Sequence, residues 1–334
     1  MAETLTAGRT RPGQLRFVLV VAALGIVAAG SMVGILAYDN PMPVGSAGFW
    51  TIARMRATSV AVIAVVALCH AFATVAFQTA TANRIITPSI MGFEALYVAI
   101  QTGAVFLLGA AGITAVTGPA QFLLQAAAMV GVASILYGWL LSGRLASMHV
   151  MLLVGVILGG GLASVSSFMQ RLLTPSEFDI LTARLFGNLS NAEAAYLPFA
   201  VPISLLAAGA LWWRARRLNV LALGRETATN LGLDHKREVR QVLLLVSILM
   251  AMTTALVGPM TFLGFLTATL AYQRADSYDH RRILPLAFLS GFAILALAYF
   301  VLRHVFYAQG LVTIIIELIG GSVFLIHILR KGRL

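Results

Sequence analysis

The sequence predicts an all-α, polytopic membrane protein of about ten transmembrane helices, and three observations carry that prediction. Of its 334 residues, 60% are hydrophobic and only 10% charged, where a water-soluble domain carries about a quarter charged residues. A chain so poor in charge cannot cover a water-facing surface, so its solvent is lipid. Ten apolar stretches follow one another, most near the ~20 residues that cross a bilayer as a helix. The basic residues gather in alternate connections, the pattern that sets orientation in a membrane.

In chain order the spans fall near 16–37, 57–77, 90–109, 120–141, 149–169, 195–213, 240–258, 262–273, 284–302 and 310–329. The first follows the polar, basic MAETLTAGRTRPGQLR. Its apolar run is longer than a signal-peptide core and lacks a small-x-small cleavage site, so it reads as a retained membrane helix. The eighth is short and is expected to draw on flanking residues. GPAQ at 118–121, TPSEFD at 174–179 and GPMTFLG at 258–264 mark turns or helix starts. The connection from Gln170 to Ala194 is long enough for a short helix of its own. VGVILGGGLAS, Val154–Ser164, packs four glycines into the fifth span, a spacing that lets helices approach closely or bend beside a pathway.

An even number of crossings puts both termini on one side. That side collects Arg9, Arg11 and Arg16, Arg84, Arg144, seven basic residues from Arg214 to Arg240, Arg274, Arg281 and Arg282, and Arg330, Lys331 and Arg333. The opposite side keeps only Arg54, Arg56, Arg171, Arg184 and Arg303 of the 23 basic residues. The asymmetry predicts both termini in the cytoplasm. The net charge of +11 reads as this topology plus contact with anionic lipid headgroups, not as nucleic-acid binding.

Catalytic inventories fail. The two lysines, Lys236 and Lys331, precede Arg and Gly, so the phosphate-binding pattern GxxxxGK[ST] cannot occur and ATP cannot bind by that route. Cys69 has no partner for a disulfide, the six histidines form no HExxH pair, and no metal site is expected. The proposed spans hold two carboxylates, Glu94 and Glu317, fewer ionisable groups than an ion-driven pump usually shows. Glu317 reads either as a helix-packing group at a subunit interface or as part of a polar route.

A chain with no energy source of its own is expected to receive energy from a partner. The longest polar interruption, about 214–240, suits that role. After the basic anchor RARRLN, the stretch NVLALGRETATNLGL sets Leu221, Leu223, Ala228 and Leu231 among polar neighbours. Gly224 breaks it, Glu226 and Thr227 open a helical turn, and Gly232 closes it. Two readings stand on physics alone: a handle moved by a partner, and an interfacial helix lying on headgroups.

LALGRETATNLGLDHKREV resembles the cytoplasmic coupling segment of ABC-importer permeases for iron chelates and cobalamin, the large ten-helix (type II) importers. Leu223, Gly224, Ala228, Leu231 and Gly232 match that family's LGxxxAxxLG pattern. Further stretches match in order: NRIITPSIMGFEALYV, LLVGVILGGGLASVSSF, LFGNLSNAEAAYLP and GPMTFLGFLTATLA. Thr87-Pro88-Ser89 replaces the family's Asn-Pro, and Leu266-Thr267-Ala268-Thr269 replaces its Val-Pro-His. The first replacement, with IIELIGGSVF, is similar to a subgroup handling ferric siderophores, often catecholate or mixed-ligand, rather than cobalamin or haem.

The resemblance implies one transmembrane permease domain over 1–334 in the bacterial cytoplasmic membrane, importing a ferric siderophore. It implies no cofactor in this chain, with ATP and magnesium on a dimeric ATP-binding cassette ATPase. Its other partners are a second permease subunit (a heterodimer is favoured slightly over a homodimer) and an extracytoplasmic substrate-binding protein. The ATPase-coupling residues would be Leu223, Gly224, Glu226, Ala228, Leu231 and Gly232. Arg54, Arg56 and Arg303 would dock the binding protein, although the family's Arg-x-x-Arg is altered here to Arg54-Met-Arg56. Ser142, Ser147 and His149 would lie at the cytoplasmic gate, and Gly159, Gly160, Gly161 and Ser164 beside the path. The competing readings are an ion-coupled secondary transporter and an ABC permease for cobalamin or haem.

Overall fold

The computed structural model describes residues 12–115, 118–142, 148–185, 189, 193–306 and 312–331. In chain order its helices are α1 (Pro12–Ala37), α2 (Ala47–Ala80), α3 (Phe93–Ala115), α4 (Pro119–Ser142), α5 (Met148–Gln170), α6 (Pro175–Leu185), α7 (Leu197–Trp213), α8 (Ala215–Leu221), α9 (Arg225–Asn230), α10 (His235–Val257), α11 (Leu263–Arg274), α12 (His280–His304) and α13 (Val312–Lys331). No strand occurs among the described residues. The all-helical membrane class expected from composition is the class observed.

Among the described residues, seven stretches are long and apolar enough to cross a membrane: Gln14–Ala37, Ala47–Ala80, Pro119–Trp139, Val150–Gln170, Ala194–Trp213, His235–Val257 and His280–His304. Phe93–Gly109 and Val312–Ile326 are shorter apolar helices. The remaining expected span, the eighth, is α11, whose 12 residues rise only about 18 Å against a hydrocarbon core of about 30 Å. The chain enters α11 through non-helical backbone at Gly258–Phe262. Backbone outside a helix needs hydrogen-bond partners in apolar surroundings, and Glu94 in the first turn of α3 supplies them. It accepts from the Met260 amide at 3.2 Å and from the Thr261 hydroxyl at 2.6 Å.

Two helices begin earlier than hydropathy suggests, because polar caps start them. Ser46 accepts the Phe49 amide at 3.1 Å and opens α2 about ten residues ahead of its most apolar part. Its 34 residues make about 51 Å of helix, longer than the bilayer core is thick. Asp234 accepts the Arg237 amide and opens α10 at His235. In the connection between α5 and α7, the expected short helix is α6. Thr174 and Glu177 cap it reciprocally: the Thr174 amide donates to the Glu177 carboxylate at 2.9 Å, and the Glu177 amide to the Thr174 hydroxyl at 3.4 Å.

α2 is the central post. In its most apolar window 78% of residues are buried inside the protein, against 22% for α5 and 17% for α1. Helices α1, α7, α10, α11 and α12 pack around it, while α3 with α5 and α6 forms a flank. Lipid offers no hydrophobic drive between helices, so close approach over small residues has to hold such a bundle. Accordingly Gly264 of α11 leaves no room for a Cβ beside Thr74 of α2, and Gly291 of α12 lies against Ala67 of α2 and Thr267 of α11.

The helix ends form two faces. On the basic face, Arg84 lies over the rings of Tyr272 and Tyr278 at 4.6 and 5.9 Å, Arg282 over Phe17, and Asn219 bonds Asp279. The far face joins Arg56 to the end of α1 and Arg303 to Tyr299 and Ser59.

Candidate functional site: the α8–α9 segment on the basic face

In α8, Ala215, Leu218 and Leu221 recur at spacing three and are buried, so one stripe of this short helix seats on the bundle. After Ala222 the chain reverses at Gly224, with φ +90° and ψ 168°, a backbone conformation open to glycine and costly for residues with a Cβ. The Gly224 carbonyl accepts the Ala228 amide at 3.0 Å and starts α9. Ala228 is the one buried residue of α9. The helix then stops in a complete Schellman motif: the Gly232 amide donates to the Thr229 carbonyl at 2.9 Å and the Leu233 amide to the Ala228 carbonyl at 3.0 Å. Gly232 carries the required positive φ, +83°.

The segment therefore has a seated side and a free side. Leu223 and Leu231 are 57% and 63% exposed. Glu226 is exposed on the same short helix. Of the six residues expected to act together, Ala228 is the anchor, Gly224 and Gly232 are the bends, and Leu223, Glu226 and Leu231 are what a partner would meet.

Buried ionic contacts fix the segment's ends. Glu238, 3% exposed, accepts from the guanidinium of Arg214 at 2.6 Å and from that of Arg217 at 3.3 Å. Such a pair is weak evidence of stability but strong evidence of position, because removing one partner strands the other. Asn219 of α8 donates to the Asp279 carboxylate at 2.9 Å. That bond, with the Arg281 amide behind it, holds the Asp279 carboxyl below its ordinary range. Its contribution is therefore present at neutral pH and is lost only in acid, as pH falls through the depressed value.

The residues expected along the path separate. Gly159 faces inward, where an added Cβ would stand 3.0 Å from the Cα of Gly92. Gly160, Gly161 and Ser164 lie on the exposed face of α5, the Ser164 hydroxyl donating back to the Gly160 carbonyl at 2.9 Å. Of the gate residues, Ser147 lies outside the described residues, and Ser142 and His149 are described only as the end of α4 and the start of α5.

Three arginines expected on the far face are present there, in different states. Arg54 is exposed, with no hydrogen bond or ion pair to a described residue. Arg303 is exposed and donates to the Tyr299 hydroxyl at 2.9 Å. Arg56 is engaged: its guanidinium donates to the carbonyls of Tyr38 at 2.6 Å, Asp39 at 2.9 Å and Ile35 at 3.3 Å. These are carbonyls a helix C-terminus leaves without partners.

A family model described as the FecCD transport family matches residues 15–330. The chain belongs to the FecCD transport family. It is 47% identical over 333 residues to the petrobactin import system permease protein FatC of Bacillus anthracis, an alignment covering 100% of this chain and 94% of that protein. It is 26% identical over 193 residues to the petrobactin import system permease protein FatD of the same organism, covering 57% and 56% of the two chains. Its fold is similar to a solved structure described as an inward-facing conformation of an ABC transporter of metal-chelate type. The TM-score is 0.81 with 20% identity, over 93% of this chain and 99% of that one.

For this FecCD chain, sequence reasoning missed Glu238, Asn219 and His280. Glu238 has basic residues on both sides in REVR, but its partners Arg214 and Arg217 lie 24 and 21 positions away. Asn219 and His280 carried no signal, since their contact spans 61 positions.

Proposed function

We propose that this chain is the permease subunit of an ATP-driven importer carrying a ferric siderophore, of the petrobactin class, across the bacterial cytoplasmic membrane. The observation that carries the reading is the α8–α9 segment: rigidly capped, seated by Ala228, and presenting Leu223 and Leu231 outward. Leu223 and Leu231, exposed on so well-fixed a turn, offer apolar anchors to a partner's surface. The chain has no phosphate-binding loop of its own, so a separate dimeric ATPase, with ATP and magnesium, is the fitting occupant. The basic face is then cytoplasmic, with both termini, and the far face meets the binding protein.

Glu317 supports a second permease subunit. It is exposed on α13 between Ile316 and the exposed Leu318 and Ile319. A carboxylate turned to lipid is expensive, and such groups face a bundle interior or a water-filled path. The exposed face of α5 carries Gly160, Gly161 and Ser164 among larger apolar side chains, and these small residues are the part of it that suits a large cargo's path. Two relatives from one petrobactin system, matched to unequal degrees, favour a heterodimer.

The test is reconstitution of the chain with its second permease, the ATPase and the binding protein in lipid vesicles. Ferric petrobactin on the binding protein should stimulate ATP hydrolysis severalfold. Hydrolysis that ignores the loaded binding protein, in vesicles where all four components are assembled, would contradict the reading.

A further inference from the structure

A coupling segment is useful only if its displacement reaches the helices that form the path, and the structure contains one polar connection suited to that task. α8 lies against α2 and α12. Where the three meet, Asn219 of α8, His280 at the start of α12 and Thr79 near the end of α2 form an unbroken hydrogen-bond chain. The Asn219 Oδ1 lies 2.6 Å from His280 Nδ1, and His280 Nε2 lies 2.7 Å from the Thr79 hydroxyl. The His280 backbone amide also donates to Asn219 Oδ1, at 2.9 Å. His280 is 2% exposed and Thr79 7%.

The donors at Asn219 and His280 Nδ1 can be assigned by elimination. The Asp279 carboxylate only accepts, so the Asn219 amide nitrogen donates to it at 2.9 Å and Asn219 Oδ1 must face His280. That oxygen only accepts, so His280 Nδ1 carries a proton. In the neutral ring Nε2 is then an acceptor, and the Thr79 hydroxyl, whose single proton also has the Val75 carbonyl within 2.8 Å, lies between these two acceptors. The contacts link α2 through α12 to α8, with the one Thr79 proton placed between His280 and the Val75 carbonyl of its own helix.

Its position matters more than its strength. Asn219 is three residues before Ala222, where the chain leaves α8 for the Leu223–Gly224 bend, so a push on that bend moves Asn219 directly. Thr79 is in the last turn of α2, the post around which the bundle packs. Beside the chain lies a cavity of about 140 Å³ lined by Gln78, Thr79, Ala222, Tyr272 and His280 among others. The Gln78 Oε1 is buried without a partner while its amide donates to the Arg84 carbonyl at 2.8 Å. An open pocket and a spare acceptor next to a polar chain allow it a second arrangement, which a close-packed apolar contact would resist.

We propose that Thr79, His280 and Asn219 form the joint through which movement of the α8–α9 segment is delivered to α2 and α12. These are positioning residues, and the role rests on the reading of α8–α9 as the driven segment. A helix contact made only of apolar side chains could slip under load; the joint makes the three helices move together.

The test uses the full reconstituted transporter and measures ferric chelate imported per ATP hydrolysed, with thermal stability of each variant in detergent. Thr79→Val keeps the shape and removes the hydroxyl, and should lower the import ratio about fivefold, the scale of one lost buried hydrogen bond. Thr79→Ser should restore most of it. Thr79→Val combined with Asn219→Ala should cost no more than the worse single change, because both break one chain. An unchanged ratio in Thr79→Val, or an equal fall in Thr79→Ser, overturns the joint. Leu223→Asp in the same vesicles separates the two ideas. If it abolishes import while Thr79→Val imports normally, only the joint is wrong; if it too imports normally, the driven-segment reading fails and takes the joint with it.

Discussion

The two faces of the molecule use similar materials for opposite ends. On the basic face, α8 and α9 are fixed by buried contacts at Ala228, Glu238 and Asn219, which leaves Leu223 and Leu231 free to meet something else. On the far face, Arg56 looks like a surface charge in the sequence, yet its guanidinium is occupied by three carbonyls at the end of α1. Residue type does not decide whether a surface group serves the fold or a partner. What decides is whether its bonding capacity is already filled.

The largest effect should come from the free side of the basic face. Replacing Leu223 and Leu231 together with Asp should reduce co-purification of the ATPase and ATP-driven uptake at least tenfold, since apolar anchors dominate interfaces of this kind. Membrane insertion and thermal stability should hardly change. A fall in stability with the ATPase still bound would reverse the assignment of the two faces.

Gly232→Val comes next. It forces a β-branched residue to φ +83°, at a cost of about 1–2 kcal/mol, and loosens the Schellman motif. Uptake should fall several-fold while the folded protein persists, and Gly232→Asn should retain more activity than Val, because asparagine tolerates that backbone. Uptake equal in the two variants would mean that the shape of the bend is unimportant.

On the far face the expected losses are smaller and of two kinds. Arg56→Ala removes charged hydrogen bonds to helix-end carbonyls and should lower stability by about 2 kcal/mol, seen as an earlier melting transition in detergent. Arg54→Glu should leave melting unchanged and slow association with the binding protein a few-fold at low ionic strength, an effect that added salt erases. If Arg54→Glu lowered the melting transition and Arg56→Ala did not, the contrast between filled and free groups would be lost.

Much of this architecture is legible in the sequence, for identifiable reasons. Hydropathy marks the spans because lipid demands it, and glycine marks the bends at 224 and 232 because positive φ demands it. Asp234 and Ser46 place the starts of α10 and α2 outside the apolar windows, so those boundaries moved. α11 was visible as a weak span, but its entry through Gly258–Phe262 depends on Glu94, 166 positions from Met260; no local pattern announces such a partner. The central place of α2 and the outward face of α5 were also hidden. Their membrane-crossing stretches are both strongly apolar, and hydropathy does not distinguish a helix surrounded by its own chain from one that faces outward.

The central claim is that energy enters through α8–α9 from another protein. The most direct measurement is accumulation of iron-59-labelled ferric petrobactin in vesicles holding the assembled transporter, with either the active ATPase or a variant that binds ATP without hydrolysing it. Accumulation should require the active ATPase and should persist when a protonophore collapses the proton gradient. Equal accumulation with the inactive ATPase, abolished by the protonophore, would instead make this chain an ion-driven carrier.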